Sequence, residues 1–162
     1  MATLLIVQHV PTATVRTLAD AVVEGARDDA IEGVDVVVRS ALEADADDVL
    51  GADGYLLGTP ANFGYMSGAL KHFFDTIFLQ AGGALGEDGD AEGTTSGTRK
   101  PWGLWVHGRY DTTGAVRSVE SIVQALSWRR VAEVLEVLGD PGGTELAAAR
   151  DLGGTLAANL MD

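Results

Sequence analysis

Apolar residues along the chain fall into two kinds of run. Unbroken stretches at Thr3 to Gln8, Val34 to Arg39, Tyr55 to Leu57, Pro101 to Gly108 and Glu133 to Leu138 predict strands, and the unbroken hydrophobicity of the first suits a parallel sheet buried on both faces. Between them the apolar period changes to that of a helix. Val15, Leu18, Val22 and Ala26 share one face, Met66, Leu70, Phe73, Phe74, Ile77 and Phe78 a second, and Val116, Val119, Ile122, Val123 and Leu126 a third. A short acidic helix over Ala41 to Leu50, ending at Gly51, and a last helix over Thr144 to Leu160 complete the set. Thr12, Thr14 and Ser67 occupy cap positions. Five strands alternating with helices demand right-handed crossovers, hence an α/β, doubly wound, five-stranded parallel sheet with helices on both faces.

The junctions between strands and helices carry the candidate chemistry. After Tyr55 to Leu57, the residues Gly58, Thr59 and Pro60 are expected to end the strand, because proline cannot donate to a sheet ladder. The loop that follows holds Asn62, Phe63, Gly64 and Tyr65, two aromatics around a residue without a side chain, which suits a flat ligand lying against backbone. An ordinary strand-to-helix turn is the plainer reading of the same residues. After the first strand, His9 to Thr17 contains Thr12, Thr14 and Thr17 in a T-x-T-x-x-T spacing. Hydroxyls and free amides at a helix N-terminus can solvate a phosphate dianion without a cationic cluster, and Arg16 is the only cation nearby in sequence. Helix capping alone explains the same threonines. After the fourth strand, His107 to Ala115 supplies Gly108, Arg109, Tyr110, Thr112, Thr113 and Gly114. Arg109 either faces an anion there or pairs with Asp111 or another surface carboxylate.

Composition narrows the classes. At 162 residues and 46% hydrophobic, the chain reads as one domain with a full core, residues 1–162 together. No stretch approaches the ~20 apolar residues of a membrane span and the N-terminus lacks a basic, cleavable leader, so the expectation is a cytoplasmic protein without membrane contact. There is no cysteine, so redox chemistry would require a bound cofactor. A formal charge of −13, from 24 acidic against 11 basic residues, repels nucleic acid. It fits a high-salt habitat as well as an ordinary acidic surface. Residues 81 to 100, rich in Gly, Asp, Glu and Thr, read as a flexible excursion, either a lid over the site or a connector. Trp102 and Trp105 fall on opposite faces of their strand, and one of them is a candidate interface residue. No metal is expected: of the three histidines, His72 lies within a helix, His9 and His107 end strands, and none has the i, i+4 spacing of a zinc helix. His9 and His107 are candidate proton shuttles, with structural polar roles as the alternative. Neither G-x-G-x-x-G nor G-x-x-x-x-G-K-[ST] occurs, and Gln8, His9, Gly58 and Thr59 stand where a receiver domain needs aspartates.

The stretch GTPANFGYMSGALKHFFD, Gly58 to Asp75, resembles the segment after the third strand of flavodoxin-like FMN proteins, especially the WrbA-type NAD(P)H:quinone oxidoreductases. It fills their pattern G-T-P-x-x-F-G-x-M-x-G-x-L/M-K/R-x-F-x-D. The threonine spacing resembles the flavodoxin phosphate loop, with Pro11 and Ala13 departing from its glycine-containing form. The resemblance implies strand order 2-1-3-4-5 and an FMN site at the ends of strands one, three and four. It places Pro60, Ala61, Asn62, Phe63, Gly64 and Tyr65 on the flavin ring, His9, Thr12, Thr14 and Thr17 about the phosphate, and Gly108 to Gly114 as a second wall. The activity it implies is reduction of quinones or similar small acceptors by NADH or NADPH, with Arg109 and His107 as candidate catalytic residues. A one-electron carrier, passing electrons to a redox partner protein, and a non-catalytic regulatory protein with a weakened flavin site are the alternatives. Beyond strand four the chain lacks the added segment of WrbA-type enzymes, so homo-oligomerisation is possible without their tetramer being implied.

Overall fold

Helices cover both faces of one sheet in the computed structural model, which describes residues 1–81 and 99–161. In chain order the elements are β1 (Ala2–Gln8), α1 (Ala13–Ala26), β2 (Val34–Ser40), α2 (Ala46–Gly51), β3 (Gly54–Asn62), β4 (Tyr65–Met66), α3 (Gly68–Ala81), β5 (Pro101–Gly108), α4 (Thr113–Leu126), β6 (Arg129–Arg130), β7 (Leu135–Leu138) and α5 (Gly143–Ala158). The sheet runs β2-β1-β3-β5-β6, with β7 pairing β5 farther along its length. Every pairing is parallel except that of β3 with β4. This is the expected doubly wound order. The lid or connector expected over 81 to 100 falls, for residues 82–98, outside the described residues.

Alternation along each central strand divides the core into two layers. Leu5, Val7, Tyr55, Leu57, Trp102, Leu104 and Val106 face α2, α3 and α4, whereas Leu4, Ile6, Leu56 and Trp105 face α1 and α5. Trp102 and Trp105 do point to opposite faces. Both are buried, at 4% and 0% exposure, so neither is the surface interface residue expected.

Several boundaries differ from the pattern-based reading. β3 does not stop at Gly58 but continues through Pro60 to Asn62. Pairing with β1 ends at Gly58, whose carbonyl accepts the His9 N–H at 3.0 Å, so the missing N–H of Pro60 falls on the side that β1 has already left. On its other side β3 stays paired to β5 as far as Pro60 and His107. The strand then folds back as β4, a partner too short to show any period in sequence. The fifth strand, expected over Glu133 to Leu138, is shorter, Leu135–Leu138, and the two-residue strand β6 precedes it outside the expected run. The second helix begins only after Asp45, which accepts the Asp48 N–H at 3.0 Å while the Asp48 carboxylate accepts the Asp45 N–H at 3.1 Å. Asp45 and Asp48 therefore cap a helix, and Asp48 also pairs with Arg39 at 3.3 Å.

Candidate functional site

The carboxyl ends of β1, β3 and β5 open onto one cleft of about 220 Å³. Pro11, Thr12, Thr14 and Val15 form its first side, Pro60, Ala61 and Asn62 its floor, and His107, Gly108 and Arg109 its far side. Three segments distant in sequence thus meet at the point where strand order reverses, where open α/β sheets place ligands. A larger groove of about 750 Å³ between α1 and α5 is lined by Glu24, Asp28, Arg150 and Asp151. It lies away from the strand ends.

Asn62 pairs with Tyr65 across a two-residue turn in which Phe63 and Gly64 both have positive φ, 52° and 72°. That is the geometry of a type I′ hairpin, which glycine accepts freely and phenylalanine does not. The Phe63 ring is fully exposed at 108%, and Tyr65 is 45% exposed. The base of the hairpin is fastened on both sides. Thr59, with no exposure, accepts the Ser67 N–H at 3.0 Å, and Ser67 in turn caps α3 by accepting the Leu70 N–H at 3.2 Å. Ser118 of α4 accepts the Met66 N–H at 3.3 Å, and a side chain on Gly114 would overlap the Gly64 carbonyl. The start of α4 therefore touches the hairpin directly, and Tyr110, on the loop before it, stands at 90% exposure.

The three threonines part company. Thr12 caps α1 by accepting the Val15 N–H at 3.2 Å, and Thr17 donates to the Ala13 carbonyl at 3.1 Å, outside the cleft lining. Thr14 lines the cleft, and the amides of Ala13 and Thr14 lie in the first turn, where no intrahelical acceptor exists. Arg16 turns away to Asp20, 3.8 Å, and lines a separate hollow with Gln8 and Val38. The cation in the cleft lining is Arg109, whose guanidinium lies 3.4 Å from Asp140. Asp111, the partner considered from sequence, instead accepts the Thr113 N–H at 2.9 Å, and the backbone and then the side-chain hydrogen bond from Thr113 hold its carboxyl below the usual range. Thr112, buried, donates to Glu136 at 2.6 Å.

Of the two candidate histidines, His107 lines the cleft at 5% exposure and donates through Nε2 to the Gly139 carbonyl at 2.7 Å. His9 sits at the end of β1 with a buried Nδ1 that finds no partner among the described residues, and burial holds its imidazole below its ordinary pKa. Sequence reasoning missed the segment after β7. Gly139 has φ 76° and donates to the Gly108 carbonyl at 2.8 Å, which brings Asp140 beside Arg109. The signal was the turn string Gly139, Asp140, Pro141, Gly142 at a strand end. Among the described residues no cluster of His, Cys, Asp or Glu is placed to hold a metal ion, and no helix is long and apolar enough to cross a membrane.

These features fit flavin mononucleotide. Free first-turn amides and the Thr14 hydroxyl suit its phosphate, and exposed Phe63, Tyr65 and Tyr110 rise beside a cleft that is itself smaller than the whole cofactor. No family model matches the chain. A flavodoxin of Aquifex aeolicus (strain VF5) is 38% identical over 77 residues, covering 48% of this chain and 40% of that protein. The matched stretch thus spans less than half of that relative. Among solved structures, a flavodoxin from the domain Archaea superimposes with a TM-score of 0.77 at 16% identity, over 98% of both chains. A flavodoxin, WrbA-like protein from Agrobacterium tumefaciens does so with a TM-score of 0.74 at 16% identity, over 100% of both. The fold is flavodoxin-like.

Proposed function

We propose that the chain binds flavin mononucleotide at this cleft and serves as a carrier of single electrons between partner proteins. Phe63 carries the reading. A phenylalanine in left-handed backbone with its whole ring in water is favoured neither by local conformation nor by burial, and such outliers persist where a ligand uses them. The 38% identity to a flavodoxin supports the carrier over the NAD(P)H:quinone reductase expected from sequence. Bound flavin would supply a ring able to accept and release electrons. The amides of Ala13 and Thr14 would hold the phosphate, Phe63 and Tyr65 would cover one side of the ring, and the hairpin's attachment to Ser118 would keep that side in place. The second reading, reduction of small acceptors by NADH or NADPH, has one observation in its favour. Gly58 to Asp75 fills the sequence pattern of the WrbA-type NAD(P)H:quinone oxidoreductases.

Fluorescence titration of FMN into the protein tests the first step, and saturable one-to-one quenching is expected. Anaerobic mixing of the loaded protein with NADH or NADPH then separates the readings. A carrier keeps its yellow colour without a partner reductase and bleaches with dithionite. Rapid bleaching by either nucleotide would establish the enzyme instead.

A further inference from the structure

Arg109 lines the same cleft as Thr14 and the first turn of α1, and among the described residues it is the one Arg or Lys that does. Its resting partner is weakly held. Both guanidinium Nη atoms lie 3.4 Å from the single oxygen Asp140 Oδ1, at the outer limit of a hydrogen bond, with side chains 58% and 81% exposed. The backbone beneath Asp140 is, by contrast, firmly set. Gly139 receives the short bond from His107 Nε2, 2.7 Å, and donates to Gly108 at 2.8 Å, clamping the turn after β7 to the end of β5. A fixed post thus carries a loose counter-charge beside the cleft's cation.

We propose that Asp140 is an exchangeable partner for Arg109, and that a phosphate entering the cleft takes the guanidinium from it. Asp140 and the ligand phosphate then compete for one cation, so the pair sets how strongly the cleft prefers a phosphorylated ligand to its neutral counterpart. This rests on the flavin reading above. It departs from a phosphate site built on hydroxyls and amides alone, the expectation that the threonine spacing raised.

Calorimetric titration of FMN and of riboflavin into the wild-type protein, Arg109→Gln, Asp140→Asn and the double variant tests it. Both positions are exposed, so the fold should tolerate either change. Arg109→Gln should weaken FMN roughly tenfold and leave riboflavin nearly unchanged, as loss of a charge-assisted hydrogen bond requires. Asp140→Asn should tighten FMN about two- to fivefold, the range of an exposed ion pair, and this gain should vanish when Arg109 is also replaced. An unchanged ratio of FMN to riboflavin affinity in Arg109→Gln overturns the proposal while leaving flavin binding intact. So does a gain from Asp140→Asn that survives without Arg109. If neither flavin binds the wild-type protein, the flavin reading falls and this inference with it.

Discussion

Phe63 is where local conformation and proposed use conflict most openly. Its φ of 52° costs an ordinary side chain energy that glycine would not spend, and its exposed ring recovers none of it by burial. Phe63→Gly should therefore raise the stability of the flavin-free protein by about 0.5–1 kcal/mol and at the same time weaken FMN binding. Urea unfolding and flavin titration of the same variant measure the two effects, and equal FMN affinity would show that the ring does not meet the ligand. His9 makes a second test at this scale. Burial lowers its folded-state pKa below 6.5, so the fold favours the neutral ring. That contribution is complete above pH 6.5 and is lost as pH falls through the lowered folded value. Stability should begin to decline as pH falls below about 6.5, above the range of ordinary carboxylates, and His9→Gln should flatten that limb in thermal melts. At this scale the sequence made the residue types of the site legible but not their directions. Thr12, Thr14 and Thr17 read alike, yet only side-chain geometry separates a cap, a cleft residue and a helix back-bond. Arg16 and Arg109 exchange importance for the same reason, since the Arg16 stem leaves the cleft towards Asp20.

The decisive elements are the β3–β4 hairpin and the start of α4 that supports it. Gly114 approaches the Gly64 carbonyl so closely that Gly114→Ala must push the start of α4 and the hairpin apart. The expected cost is about 1–3 kcal/mol in chemical unfolding, accompanied by faster amide exchange at Met66, whose N–H is held by Ser118. Unchanged exchange at Met66 would mean that α4 does not brace the hairpin. β5 was readable over its full length as an apolar run buried on both faces, and α4 from the helical period of Val116 to Leu126, although the helix begins at Thr113, inside the stretch read as loop. The hairpin was not. Pro60 signals a strand end unless the neighbouring strand is known to have finished first, and a two-residue partner such as Tyr65–Met66 carries no period. The late start of β7 is likewise invisible, since Val134 belongs to the apolar run although it lies outside the strand, and β6, two arginines long, carries no apolar period.

For the molecule as a whole, a parallel, doubly wound sheet follows from alternation and handedness, whereas the strand order, and with it the meeting of three loops, came from the chain's resemblance to flavodoxin-like proteins and is borne out by the structure. The turn at Gly139 to Gly142 stayed hidden because its role depends on β7 pairing with β5, a contact between distant segments. Charge acts at this scale too. With a formal charge of −13, self-repulsion opposes the compact state at low ionic strength, so the melting temperature should rise as salt increases from about 0.01 M to 0.5 M and the screening length shrinks. A melting temperature independent of salt would mean that the carboxylates are neutralised locally. The proposed carrier would hold a flavin in this cleft and take electrons one at a time. Its most direct test is an anaerobic spectroelectrochemical titration of the FMN-loaded protein. Two resolved one-electron potentials are expected, with reduced flavin still bound at the end. A single two-electron wave, together with bleaching by NADH or NADPH alone, would contradict it and make the protein an oxidoreductase of small acceptors.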